Sequence, residues 1–199
     1  MRVLGSLDKA FQANPRNAFL AIRLAGCYRN RGDLERALKV LQSALEANPA
    51  ERRLHYSYAK LLRLQEGTKG EELAYHLQRA FTPGDANYDA QLLYGRQLFI
   101  NGDRDGSKVV FARLRNALVP SDVRDRLLYP LDQTFRGSIA RMEATYCFIA
   151  RDGQADWLYA HRNNMESSVW KDLIWGSRVS FRIAFALRGV NAYDVDLKS

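Results

Sequence analysis

Residues Ala10–Pro15 read AFQANP, and 34 residues further on Ala44–Pro49 read ALEANP. A near-copy at that distance marks a stacked helical repeat, in which one small unit recurs because it cannot bury its apolar face alone. In residues 18–51, Leu24, Ala25 and Tyr28 share one face of a first helix, Gly32-Asp33 turns the chain, and Ala37, Leu41 and Ala44 mark a second helix that stops before Pro49. Residues 52–87 keep the order with Tyr58, Ala59 and Leu62, then Leu73, Leu77 and Ala80. The extra length of this unit falls in the turn Gly67–Gly70, where an insertion costs least. Residues 88–121 keep it again with Tyr94, Gly95 and Leu98, the turn Gly102-Asp103, and Ser107, Phe111 and Leu114. Ala25, Ala59 and Gly95 fall where two antiparallel helices approach closely, and Asp33 and Asp103 are expected to cap the second helices with their carboxylates.

Residues 1–17 supply only a second helix, with Leu4, Leu7, Phe11 and Pro15 in register and no first helix ahead of them. Such a half repeat leaves a face to be covered by an upstream domain or an oligomer contact. The favoured expectation is a cut through a longer protein.

The chain has 199 residues, 47% apolar and 26% charged, an ordinary globular composition with room for two small cores. No run approaches the length of a membrane span, and the first fifteen residues lack the apolar stretch of a secretory signal, so a cytoplasmic protein with no membrane partner is expected. Cys27 and Cys147 stand far apart among apolar neighbours, which predicts buried reduced thiols. The formal charge is +8, and a surplus of that size attracts polyanions or acidic protein surfaces. Residues 1–121 hold 19 basic and 12 acidic side chains against 11 and 10 in residues 122–199, so the excess lies in the repeats.

Residues 18–121 resemble the tetratricopeptide repeat family, although Asp85 and Val119 stand where the later units would end in proline. The resemblance implies a superhelix of α-α hairpins whose concave surface, lined by the first helix of each unit, binds a partner. Arg29, Lys60, Arg63 and Arg96 are basic outward positions on those helices, either a groove for an acidic peptide or phosphates, or a scatter of solvated charges.

Ser121-Asp122 begins an amphipathic segment with Val123, Leu127 and Leu128 that Pro130 ends. Residues 122–134 are therefore expected to form a helix capping the last repeat and a short connector. From residue 135 to 199 the helical period gives way to alternation, as in Tyr146-Cys147-Phe148-Ile149 and Leu158-Tyr159-Ala160-His161. Turn signals at Asp152-Gly153, Gly176 and Arg188-Gly189 divide this part into about five short strands, which fits a closed barrel of the oligonucleotide-binding type. Strand alternation sends Cys147, Ile149, Leu158 and Ala160 inward and Tyr146, Phe148, Tyr159 and His161 outward. Rings gathered on an outer face call for a partner, either unpaired bases or the surface of the repeat unit.

This part resembles the cold-shock domain family. Gly137-Ser138-Ile139 stands where the family opens its first strand with Gly-x-Val, Tyr146–Ile149 on the end of its K-G-F-G-F-I motif, and Leu158–His161 on V-F-V-H. Trp170, Leu173, Gly176, Val179-Ser180-Phe181, Arg188-Gly189 and Ala192 keep the spacing of the second half. The resemblance implies single-stranded RNA or DNA binding, with Tyr146, Phe148, Tyr159, His161 and Trp170 at stacking positions. Arg141 stands where the family has Trp, Met142 where it has Phe, and Arg162 where another aromatic is common; the loop before Tyr146 is short and lacks Lys-Gly. Guanidinium planes can still stack on bases and neutralise phosphate.

No metal-ligand spacing, phosphate loop or nucleophile motif occurs, and His55, His76 and His161 fall in three different elements, so neither metal nor cofactor is expected. The leading expectation is a non-enzymatic adaptor of multidomain α + β class: tetratricopeptide hairpins with a basic groove, followed by a five-stranded barrel that binds single strands. Two rivals stand beside it: a protein-interaction scaffold whose barrel is degenerate, and the regulatory C-terminal region of a larger enzyme.

Overall fold

The computed structural model describes residues 2–198. They divide into two compact units, at Val110/Phe111.

The first unit is built of helices: α1 (Arg2–Ala13), α2 (Ala18–Arg29), α3 (Leu34–Ala47), α4 (Arg52–Leu62), α5 (Gly70–Arg79), α6 (Tyr88–Ile100) and the start of α7 (Arg104–Leu114). From α1 to α6 each helix packs on the next, and α2 also packs on α4, the stacking expected of hairpin repeats. Ala25, Ala37 and Ala59 are buried at the close approaches. At the third, Ser107 Oγ donates to the Gly95 carbonyl at 2.8 Å, so the small residue there also satisfies a backbone acceptor that glycine exposes. Gly32 and Gly102 reverse the chain at φ 78° and 88°. The aspartate after each accepts from an otherwise orphan amide, Asp33 from Arg36 N–H at 3.0 Å and Asp103 from Gly106 N–H at 2.9 Å.

The second unit is a closed barrel of β1 (Thr134–Met142), β2 (Tyr146–Arg151), β3 (Trp157–His161), β4 (Arg178–Ala186) and β5 (Gly189–Leu197), in the order β1-β2-β3-β5-β4. All neighbours are antiparallel except β3 and β5, which meet in parallel at Tyr159 and Asn191. Closure removes the unpaired edges that would otherwise recruit other strands. Ile139, Cys147, Ile149, Leu158 and Ala160 point into the core, and Phe135 stacks on Phe181 with centroids 6.1 Å apart.

The segment before the barrel departs from expectation. Only α8 (Ser121–Asp125) is helical, and none of its residues is buried. Leu127 and Leu128 do not continue it as a cap; the Leu128 N–H instead donates to the Phe185 carbonyl at 2.7 Å and the Leu131 N–H to Ile183 at 2.8 Å. The chain ahead of β1 thus runs along β4, where its backbone groups find partners that a helix stopped by Pro130 could not supply. The end of α7 belongs to the same unit: Phe111 stacks on Phe185 at 6.2 Å, and Arg115 Nε donates to the Arg188 carbonyl at 2.9 Å. The repeat pattern runs on to residue 121, but these contacts draw residues from 111 onward to the barrel. Cys147 is buried as expected, whereas Cys27 is only half-buried because it lies on the less covered side of α2. Among the described residues no helix is long and apolar enough to cross a membrane.

Candidate functional site

The hairpin of β2 and β3 sets the site. Its register pairs Tyr146 with His161 and Phe148 with Tyr159 on the outer face, and Cys147 with Ala160 and Ile149 with Leu158 on the inner one. The hairpin is clamped where it turns: the buried Arg151 guanidinium grips Asp156 through both carboxylate oxygens, with Nε–Oδ1 2.9 Å and Nη2–Oδ2 2.6 Å. With the backbone held, the outer side chains form one continuous cluster. Centroids lie 5.3 Å apart for Tyr146–Tyr159, 5.7 Å for Tyr146–Phe148, 6.1 Å for Phe148–Tyr159 and 6.5 Å for Tyr159–His161. None of these four residues is fully buried; each is half-buried.

A fifth ring, Trp157, lies 6.5 Å from Phe148 and is 57% exposed. The period of two that singles out Tyr159 and His161 places residue 157 on the same face, one position ahead of the Leu158–His161 motif. His161 Nδ1 accepts from the Asn163 N–H at 3.2 Å, so the neutral ring carries its proton on Nε2 and keeps a donor there. Burial holds the Tyr159 hydroxyl above its ordinary pKa, which leaves it a donor at neutral pH.

The remaining expected residues are not all in the row. Arg141 pairs in register with Phe148, so it flanks the rings, and its Nε donates to Glu143 at 2.7 Å. Arg162 is exposed in a 3-10 turn (Arg162–Asn164) whose first N–H reaches the Thr145 carbonyl at 2.9 Å, next to Tyr146. Met142 falls out. A bulge between Ile139 and Arg141 shifts β1 by one position and places Met142 opposite the inward Cys147, on the other face from the rings. Trp170 falls out as well: it sits half-buried on α9 (Ser167–Asp172), not on the hairpin.

In the helical unit, Arg29 ends α2 and donates to Asn30 Oδ1 at 3.1 Å, while the Lys60 ammonium lies 5.1 Å from the Tyr56 ring centre on α4. Arg63 caps α4 and Arg96 lies on α6; both are half-buried. The first helices also carry features that a search for basic residues alone overlooks. Phe19 is exposed with the Arg23 guanidinium 5.5 Å from its ring, and the Tyr56 hydroxyl donates to Asp89, tying α4 to α6.

His55 and His76, expected in separate elements, are brought together by the α4–α5 packing with Nδ1···Nδ1 2.9 Å. His55 is 4% exposed, and its Nε2–H donates to the Pro49 carbonyl at 2.9 Å, so its Nδ1 accepts and His76 Nδ1–H donates. Among the described residues no three His, Cys, Asp or Glu side chains form a metal-binding group.

Residues 4–61 match the model of the tetratricopeptide repeat family. Similar solved structures include MamA, 17% identical with a TM-score of 0.46 over 55% of this chain and 63% of that one. Another is YrrB, described as a TPR protein with an unusual peptide-binding site, 22% identical with a TM-score of 0.46 over 54% of each chain. A third is MamA residues 41 to the end from Desulfovibrio magneticus RS-1, 19% identical with a TM-score of 0.44 over 56% and 62%. The match thus spans under two thirds of the length of the first of these. No curated protein matches the chain.

Proposed function

We propose that this chain, whose helical unit is a tetratricopeptide array of the kind that serves protein interaction, is an adaptor that binds single-stranded RNA on the outer face of its barrel. The observation that carries the reading is the cluster of Tyr146, Phe148, Trp157, Tyr159 and His161: five contiguous rings, clamped at the hairpin yet left partly in water. Flat π-faces of this kind accept any base, at about 1–3 kcal/mol per stacked base. The closed five-stranded order and the likeness to cold-shock domains support the same reading. Arg141 and Arg162, at the side and end of the row, would meet phosphates. Arg141 must first leave Glu143, an exposed pair worth no more than about 1 kcal/mol. The helical unit, with Arg29, Lys60, Arg63 and Arg96 on its first helices, would hold an acidic protein segment, so that the chain couples a protein to a strand.

The test replaces Phe148 and Tyr159 together by alanine and titrates the variant with single-stranded RNA, single-stranded DNA and duplex at fixed salt. Loss of two stacked bases predicts affinity for single strands at least about thirtyfold weaker. An unaltered circular dichroism spectrum would show that the fold is kept. Unchanged affinity sinks the proposal and leaves the scaffold reading, in which the barrel is only structural.

A further inference from the structure

The turn between α9 and β4 holds two large apolar side chains in solvent, Ile174 at 68% and Trp175 at 77% exposed. Leaving an indole in water forgoes one of the largest burial gains a side chain offers, so an exposed Trp on a rigid turn implies a contact made elsewhere. This turn is tightly held. The Ile174 N–H donates to Ser177 Oγ at 3.0 Å, and the Ser177 N–H returns to the Ile174 carbonyl at 3.1 Å. Two further bonds fasten it to β1: Gly176 N–H to the Ile139 carbonyl at 2.9 Å, and Ile139 N–H to the Ser177 carbonyl at 3.0 Å.

That anchorage fixes its place relative to the rings. Ile139 lies two residues before Arg141, and Arg141 pairs with Phe148, which pairs with Tyr159. Across the barrel surface the order is therefore Tyr159 on β3, Phe148 on β2, Arg141 on β1, and then the turn bearing Trp175. Strands are spaced about 4.8 Å apart, so the turn lies roughly 10 Å beyond Phe148. The aromatic row stops at an arginine, and the turn that carries the exposed Trp175 stands one strand further, level with Ile139, two residues along β1 from Arg141.

We infer that Trp175 is a second stacking position, separate from the β2–β3 rings, which takes a base of a single strand long enough to pass over β1. Arg141 lies between the two positions and meets the strand where it crosses. The inference rests on the proposed function and adds to it: the barrel reads a longer stretch than its ring cluster covers. A protein contact at the same turn is the competing use.

The experiment titrates labelled oligouridylates of four and twelve nucleotides with the full chain and with the variants Trp175→Ala, Trp175→Phe and Phe148→Ala/Tyr159→Ala. Trp175→Ala is expected to weaken the twelve-mer about tenfold, the worth of one stacked base, while leaving the four-mer within about twofold. Trp175→Phe should restore most of the difference, and the double variant should weaken both lengths. Equal twelve-mer affinity for Trp175→Ala and the parent overturns the inference alone, provided the double variant still loses binding. A parent chain that binds neither length overturns the proposed function and this inference together. Equal weakening of both lengths by Trp175→Ala shows that Trp175 is not a separate position. Self-association of the parent that Trp175→Ala abolishes without any effect on the twelve-mer assigns the turn to a protein contact instead.

Discussion

Gly137 is the residue on which the geometry of the ring face most directly depends. It sits in β1 opposite Arg151, and a Cβ there would lie inside the contact surface of the Ala150 carbonyl oxygen, with the Ile149 side chain also in the way. Backbone cannot yield as a flexible side chain can, so Gly137→Ala should cost about 1–3 kcal/mol, read as a lower midpoint in thermal or urea unfolding. Gly26 is the control. It lies inside α2 with nothing within 4 Å of an added Cβ, and Gly26→Ala should stabilise by up to about 1 kcal/mol. Equal effects at the two positions would contradict this account of why β1 carries a glycine at residue 137. Sequence shows that a glycine is there; what crowds it belongs to a strand a dozen residues later.

Among the elements, the α4–α5 seam carries a pH dependence that neither helix has alone. Burial, the facing His55 ring and the Arg79 charge push His76 down to about 4 from its ordinary 6.5. Around the pair stand the Tyr58 and Tyr75 rings, with Arg79 stacked 3.6 Å from the Tyr75 ring centre. The unfolded chain takes up a proton near pH 6.5 and the folded one only near 4. Between those values the unfolded state binds more protons, so stability is full above about pH 7 and declines as pH falls toward 4. His76 is half-buried, and after discounting for solvent the loss is on the order of 2 kcal/mol. Thermal unfolding of the parent should weaken between pH 7.5 and 5, while a His55→Leu/His76→Leu chain should show a flatter profile over that range. Parallel profiles would remove the histidine pair as the cause. Alternation and the 3.6 period are local properties, which is why the ring row and the repeat helices are legible in the sequence. The pairing of residues 55 and 76 is not local, and neither is the bulge that turns Met142 away from Phe148.

For the whole molecule the governing quantity is where positive charge can still meet phosphate. The formal charge is +8, but several arginines of the barrel unit pair with carboxylates: Arg151 with Asp156, Arg178 with Asp152, Arg182 with Asp132, Arg188 with Asp125 and, more exposed, Arg141 with Glu143. With Arg141 and Arg162 as its phosphate contacts, log affinity for a single strand should fall with log salt at a slope of about −1 to −2. A slope near zero would remove phosphate from the interface, and one steeper than about −4 would require basic residues outside the barrel. The order of repeats, the turns and their capping aspartates, and the inward and outward sides of β2 and β3 were readable from the residues alone, because each follows from spacing between near neighbours. Which arginines are already neutralised, that residues 128–131 run along β4 instead of ending a helix, and that Trp175 stands beside β1 came from the folded chain. Those facts depend on segments tens of residues apart meeting in space, and no periodicity along a single chain encodes which segment a strand will find.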